Sequence, residues 1–479
     1  MEAVTTYLAI GIFIVIGTVI AWLSKKFLQK DVKDFYTAGG RFGTVLSSLS
    51  YAATTYSAFM FIGLVGMAYQ TGVGTLGFEL VYFVGTLFLL YYIAPKYWAL
   101  HNKFGYISPA EVLSERYGSQ AVGASVTLLA LVSLIPYSAS QVIGVAFAAE
   151  GASSGTIPFS TAVLIAIAVA LLWSVIAGIW SVGLTDVFQG LIMLGAGLMI
   201  VVWVYIWGTG YVPFDFASLG PLTFVPNSFW SFTTFLNLTL PWFFFALTNP
   251  QVVQRLFAPK SLQAQKGMII WFGIYGLLFT VSVTFLGLML KGFTDGGIFP
   301  LVAYRDSVTP TLLGMLPLWL SVLGLVAVIA ASISTIDGII LTLSSMTVRD
   351  LFKAYRPSLS PKSQLIIGRL TIIILAIGCT LFALSRPGFI VDLAVLSSSL
   401  LLPQAPLVIG MFVWKRGGKY SATITIAAGF AVAAALYWTK LSPLGLPMNL
   451  WTLIIATLVY VGIALLESPT EGAKKFTDL

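Results

Sequence analysis

The residues predict an all-α polytopic membrane protein. Three features carry that reading: a large apolar excess, apolar runs of bilayer length, and a one-sided placement of Lys and Arg. Hydrophobic residues make up 58% of the 479 and charged residues 9%, with a mean hydropathy of +0.96. A soluble domain of this length carries roughly 25% charge. The apolar surplus therefore faces a lipid bilayer. The formal charge of +8 would suit nucleic acid in a soluble protein. Here the basic residues sit in short loops between apolar runs, so they follow membrane topology and imply no nucleic-acid partner.

Apolar runs broken by polar, Gly and Pro clusters give thirteen expected spans. They lie near 4–23, 45–69, 76–96, 121–149, 157–179, 183–207, 231–256, 266–290, 316–346, 365–385, 389–412, 420–438 and 448–466. A helical span needs about 20 mostly apolar residues. The run around 311–346 is too long for one upright helix, and reads as a short interfacial helix followed by a tilted span. The first run starts close to Met1, has no basic segment before it and is followed by Lys25 and Lys26. A signal peptide has the opposite charge order, so 4–23 is kept as a span. No tail or loop is long enough for a second folded domain, and 1–479 reads as one transmembrane domain.

With the N-terminus outside, 21 of the 25 Lys and Arg fall on the inner side. They run from Lys25, Lys26 and Lys30 in the first loop, through Arg116 and Arg255, to Lys474 and Lys475 in the tail. Only Lys291, Arg305, Arg386 and Lys440 fall outside. This asymmetry sets the orientation as N-out and C-in, in a cell membrane. Cys379, the single cysteine, lies in an apolar run and reads as a packing residue; one cysteine supplies no disulfide or metal cluster. His101, beside Asn102 and Lys103, reads as a solvated loop residue.

Three spans look chemically active. The second holds Ser47, Ser48, Ser50, Thr54, Thr55 and Ser57 around Ala52 and Ala53. Such a hydroxyl cluster serves either helix packing or a polar site. The seventh, LNLTLPWFFFALTNPQVVQRL, carries Pro241 and Pro250, each of which removes a backbone donor. In the ninth, Ser334, Asp337 and Gly338 share a face, and Thr335 stands beside them. An ionisable residue inside a span is functional by default. Asp186, in GLTDVFQG at the start of the sixth span, has two readings: a functional acid, or a carboxylate favoured by a helix N-terminus. The second and seventh spans are five apart and so cross in opposite directions. That spacing makes 45–207 and 231–412 candidate inverted halves, with 4–23 before them and the two helices of 420–466 after.

Sodium is a hard cation and prefers oxygen ligands. An unwound second span would release carbonyls, and Ser334 and Thr335 would add hydroxyls. No zinc pattern, phosphate-binding loop or hydrolase elbow is present to make this an enzyme. No Arg or Lys is expected deep in a span, so an anionic solute would rely on helix N-termini and hydroxyls.

The runs GRFGTVLSSLSYAATTYSAFMFIGLVGMAYQTGVG, AGIWSVGLTDVFQG, NPQVVQRLFAPKS and AASISTIDGIILTLSSMTVRDLF resemble the sodium/solute symporter family, in matching order from about residue 35 to 415. The resemblance implies a leucine-transporter-type 5+5 inverted repeat with one extra N-terminal helix. It implies a Na+ site from the carbonyls of Ala53, Tyr56 and Ala331 and the hydroxyls of Ser334 and Thr335. It assigns Asp186 to sodium exit or a second cation. Asp337 and Gly338 stand where members with a second sodium site have hydroxyls. Proline-type members carry an Asp at the position of Thr55, and an aromatic at that of Ala246. Trp242 and Tyr137 match substrate-region aromatics, and Glu79 resembles an acid that sugar cotransporters use. The implied activity is sodium-coupled symport of a small polar organic solute, an organic acid or amino acid first, by alternating access. The solute would sit near Thr54, Thr55, Ser57, Glu79, Tyr137, Gln141 and Trp242. A proton-coupled carrier on the same fold, using Asp186 or Asp337, and a sugar-type solute are the alternatives. Nothing in the residues specifies an oligomeric state.

Overall fold

The computed structural model describes residues 2–29 and 31–478; Lys30, counted above on the inner side, lies outside the described residues. Helices dominate throughout, and an isolated bridge joins Phe42 to Pro259. Eleven helices among the described residues are long and apolar enough to cross a membrane. A twelfth is the pair Thr44–Thr55 and Phe59–Thr71, bent by 52°. The expected thirteen is therefore not reproduced. The difference lies at 231–256, which forms three short helices, Phe232–Phe243, Phe245–Thr248 and Pro250–Arg255. Pro241 sits inside the first and Pro250 opens the third. At about 1.5 Å per residue, none of them alone covers a hydrocarbon core of about 30 Å.

The long run at 311–346 divides as expected, into Val308–Met315 and Leu318–Met346. Leu316, before Pro317, is extended, because the proline ring disfavours the helical region for the preceding residue. The fifth and sixth expected spans, Phe159–Ala177 and Ile179–Thr209, are separated by Gly178 alone. Gly178 has φ +56°, and a Cβ there would lie 2.3 Å from the Phe35 carbonyl oxygen. A left-handed backbone and a close approach together require glycine.

Burial sorts the helices into centre and rim. In Leu318–Lys353, 78% of the apolar window is buried, against 28% in Val4–Lys26 and in the last two helices, Lys419–Thr439 and Met448–Leu466. The central helix packs on Gln120–Ala152, Phe159–Ala177 and Ile179–Thr209. Rim helices turn Leu381, Trp438 and Leu458 outward, as lipid contact requires.

Two readings of charged groups are corrected by packing. His101 is buried in the last turn of Gly74–Phe104. Its ring stacks on Phe257 at 5.3 Å, and Nδ1 lies 2.6 Å from the Tyr106 carbonyl oxygen. Arg116 is also buried. Its guanidinium donates to the carbonyls of Met411, Trp414, Arg416 and Gly417, and to Thr470 Oγ1. These include carbonyls at and after the end of Ala405–Val413, which lack helical partners. Arg116→Met should lower stability by about 3 kcal/mol, since hydrogen bonds to charged groups contribute about 1.5–3 kcal/mol each. Arg116→Lys should recover only part, because an ammonium lacks the planar fork. Thermal unfolding in detergent reads both.

At the opposite end, residues 304–309 pack on Phe59–Thr71, the second part of the bent helix. Arg305 pairs with Asp392 at 2.6 Å and lies over the Phe389 ring. Thr309 Oγ1 donates to the Phe61 carbonyl, and Ile390 N donates to Asp306 Oδ2 at 2.8 Å. Burial pushes the Asp306 carboxyl up to about 6. A folded-state pKa above the unfolded value means that the native protein holds this proton more tightly. Its contribution is thus full below about pH 4 and is lost as pH rises through 6, to a total of about 3 kcal/mol. Asp306→Asn should remove that slope from a pH series of unfolding midpoints.

Candidate ion and solute site

The site begins where the helix Thr44–Thr55 stops. Its ladder ends with Tyr56 N donating to the Ala52 carbonyl at 2.8 Å, and Tyr56 is extended. Side chains take over the amides that follow. Ala58 N donates to Gln141 Oε1 at 3.0 Å, and Phe59 N to Ser57 Oγ at 3.2 Å. Met60 N donates to the Ser57 carbonyl at 2.9 Å. The break is therefore built, with Gln141 of the helix Gln120–Ala152 fastening its far side.

The central helix supplies hydroxyls to the carbonyls next to this break. Ser334 Oγ donates to the Ala53 carbonyl at 2.8 Å and to the Ala331 carbonyl at 3.1 Å. Thr335 Oγ1 donates to the Thr54 carbonyl at 3.3 Å. All five residues are buried. Two carbonyls thus gather on one hydroxyl, which can turn its proton away and offer a lone pair. Tyr56, the fifth residue named from the sequence for this site, lies at the extended corner; its ring stacks on Phe272 and Tyr275.

A charged cluster lies beside these oxygens. Asp186 Oδ2 accepts from Ser50 Oγ at 2.6 Å and from Arg255 Nη2 at 3.3 Å. Arg255 also donates to Thr54 Oγ1, from Nε at 3.1 Å and Nη2 at 3.0 Å. Asp337 Oδ1 accepts from Ser174 Oγ at 2.9 Å. A Cβ on Gly338 would meet Thr54 Cγ2 at 2.8 Å and Arg255 Nη2 at 3.4 Å, so glycine permits this approach. Two expectations change here. Arg255 is 2% exposed and is no loop residue; a cation does lie deep in the protein. Asp186 is two turns inside Ile179–Thr209 with ligands on its carboxylate, so the helix N-terminus does not explain it.

On the other side of the break stands a group of aromatic rings. Trp242 stacks on Phe245 at 5.0 Å, and lies 5.1 Å from Phe59, 5.3 Å from Tyr82 and 6.3 Å from Tyr137. Tyr137 Oη is 3.5 Å from Ser57 Oγ. Glu79, on the helix face that also presents Tyr82 and Thr86, is 1% exposed. The Thr55, Tyr82, Thr86 and Trp242 polar atoms and Glu79 Oε2 are buried without a hydrogen-bond partner. The fold thus brings Ser57, Glu79, Tyr137 and Trp242 to one region; Thr55 is buried at the end of Thr44–Thr55, two residues before Ser57. Thr54 is turned to Arg255 instead, and Gln141 is engaged in holding the break.

The model of the sodium:solute symporter family matches residues 35–429. The chain belongs to this family. The symporter is 24% identical to the sodium/pantothenate symporter of Escherichia coli (strain K12) over 460 residues, covering 94% of this chain and 93% of that one. It is 23% identical to the osmoregulated proline transporter OpuE of Bacillus subtilis (strain 168), covering 98% and 89%. Among solved structures, the symporter superposes on a substrate-bound, outward-open Na+-coupled sialic acid symporter. That match has a TM-score of 0.81 and 19% identity, covering 98% and 99%. It also superposes on Mhp1, a nucleobase-cation-symport-1 family transporter, with a TM-score of 0.59 and 16% identity, covering 93% and 98%. The fold is of the leucine-transporter type, and the symporter is a transporter rather than an enzyme.

Sequence reading missed Arg255, Ser50 and Ser174 as partners of the buried acids, and Phe59, Tyr82 and Phe245 as rings around Trp242. A signal existed for two of them. Tyr82 is three residues from Glu79 and so shares its face, and Arg255 ends the proline-broken segment.

Proposed function

We propose that this symporter couples sodium entry to the uptake of a small polar organic solute by alternating access. The observation that carries the reading is the pair of carbonyls, Ala53 and Ala331, converging on Ser334 Oγ at the helix break. Thr335 and the Tyr56 carbonyl complete an all-oxygen set suited to a hard monovalent cation. Sodium would tie the bent helix to the central helix. Asp186 would receive the ion on its way to the basic side, with the halves 45–207 and 231–412 moving against each other and the N-terminus outside. The solute, an organic acid or amino acid, would occupy the region of Thr55, Ser57, Glu79, Tyr137 and Trp242. Thr54 and Gln141 would position the break. These side chains are at most 5% exposed, which fits an occluded step of such a cycle.

Unfolding in sodium against potassium, at constant ionic strength, tests the ion. A ligand at 100 times its Kd stabilises the folded state by about 2.7 kcal/mol. A saturable sodium-specific rise, weakened in Ser334→Ala, is the expected result; equal midpoints in both salts would refute it. One sodium crossing 100 mV contributes about 2.3 kcal/mol, and a tenfold gradient about 1.4 kcal/mol. One-ion coupling therefore caps accumulation at roughly 500-fold under those conditions, and a sustained excess in vesicles would require a second ion. Proton coupling is the second reading, favoured by Asp186 Oδ1 and Asp337 Oδ2, both buried without a partner. It predicts uptake driven by a pH gradient with sodium absent.

A further inference from the structure

A short helix on the basic side, Pro109–Tyr117, touches three elements of the site. They are Pro250–Arg255, the central helix that holds Ser334, and Gln120–Ala152, which holds Gln141. Its first turn is held by a few polar bonds. Ser108 Oγ donates to the buried Asp350 Oδ2 at 2.5 Å, and Glu111 pairs with Arg349. Glu111 also caps the helix, accepting from Ile107 N at 2.9 Å and Ser108 N at 3.4 Å. Gln254, next to Arg255, donates to Ser345 Oγ at 2.8 Å and to the Ile107 carbonyl at 3.5 Å. The broken segment, the central helix and the short helix therefore meet at one place.

The last turn is fastened differently. Arg116 reaches carbonyls of 411–417. Thr470 Oγ1 accepts from Arg116 Nη1 at 3.1 Å and donates to the Arg116 carbonyl at 3.3 Å. Beyond Thr470, Phe476 is fully buried, so residues 470–476 strap this end down.

The seam under the first turn is unfinished. Ser114 Oγ, Thr347 Oγ1 and Arg349 Nε are buried without a hydrogen-bond partner. A Cβ on Gly123 would meet Ser114 Oγ at 2.1 Å and Asp350 Oδ1 at 3.4 Å, so the seam is closely packed. A buried polar atom left unmatched is costly. Water admitted on opening would satisfy these atoms and offset the loss of the ion pair.

We infer that Pro109–Tyr117 is a latch on the basic end of the transport pathway. It pivots at Arg116 and parts from Arg349 and Asp350 at its first turn, which opens the way out from Asp186. Ser108, Arg349 and Asp350 are positioning residues that act through this helix. The inference rests on the alternating-access reading and names what keeps one end shut.

The test is alkylation of a cysteine at the basic end by a water-soluble maleimide, in the purified full chain. Ser181 is buried without a hydrogen-bond partner, five residues before Asp186 on the same helix. The parent is Ser181→Cys with Cys379→Ala, which removes the native thiol. Arg349→Gln should speed alkylation at least fivefold, and Arg349→Lys, which keeps the charge, should return it towards the parent rate. Hydrogen exchange should accelerate in 107–113 and 347–353 and stay unchanged in 59–71. Equal alkylation rates in the parent and Arg349→Gln would overturn the inference. Faster exchange in all three segments, the sign of a general loosening, would overturn it too. Asp350→Asn, which weakens the charge-assisted bond to Ser108, decides in the same way where Arg349→Gln fails to fold. The sodium-dependent rise in the parent's unfolding midpoint keeps the two readings apart. A rise with equal alkylation rates sinks the latch alone; faster alkylation with no rise sinks the sodium reading alone.

Discussion

Asp186→Ala is expected to destabilise the symporter by about 3–5 kcal/mol, among the largest effects of any single substitution, because it leaves the Arg255 charge buried without its carboxylate. Arg255 would keep only the Thr54 hydroxyl as a hydrogen-bond acceptor among the contacts described above, with Asp337 within electrostatic reach. The damage should extend to sodium. Thr54 is held by Arg255 through its hydroxyl and by Thr335 through its carbonyl, so a displaced guanidinium loosens the carbonyls beside Ser334. Removing both charges, as Asp186→Ala with Arg255→Met, should recover a substantial part of the loss, since an apolar pair of similar volume tolerates burial better than a lone ion. Unfolding of the two single variants and the double closes the cycle. Strictly additive losses would show that the two residues act separately.

Gly66→Ala is expected to loosen the clamp at the Arg305 end without touching the ion oxygens. A Cβ at Gly66 would lie 2.0 Å from the Arg305 carbonyl oxygen, with further Arg305 backbone atoms behind it. No flexible side chain is available to yield. Overpacking of this kind costs about 1–3 kcal/mol, which changes the closed-to-open ratio by roughly 5–150-fold. Hydrogen exchange should accelerate in 59–71 and 304–309, transport should fall, and the sodium-dependent rise in unfolding midpoint should persist. Unchanged exchange in both segments would mean that this contact does not hold the end shut. Gly66 serves here as a packing residue, chosen by the neighbouring backbone.

The parts of this protein that were legible in its residues are those governed by local physics. Each apolar run reports its own transfer free energy, so the membrane class and the order of nearly all spans follow from composition along the chain. Pro241 and Pro250 interrupt hydrogen bonding wherever they stand, so the broken seventh segment was visible. The hydroxyl-rich stretch around Ala53 and the Ser334–Thr335 pair marked both sides of the proposed ion site for a similar reason: a lipid-facing helix has no use for them. The count of thirteen is not reproduced by the long helices, because hydropathy does not tell whether the three short helices of 231–256 amount to one crossing.

Other features had no local signature. His101, Arg116 and Arg255 look like loop residues in a list of charges, and each is buried in the structure. Their environments are made by residues far along the chain: Phe257 for His101, the carbonyls after Phe412 for Arg116, and Asp186 and Thr54 for Arg255. Likewise, Thr54 and Thr55 are neighbours in sequence, yet one is held by a guanidinium and the other has a buried hydroxyl without a partner. The residues alone determined that this chain lives in a bilayer and where its helices must break, because apolar transfer and missing backbone donors act at each position. Tertiary structure alone decided which buried charges are paired and which acid stands free, because that depends on which distant groups share a low-dielectric interior.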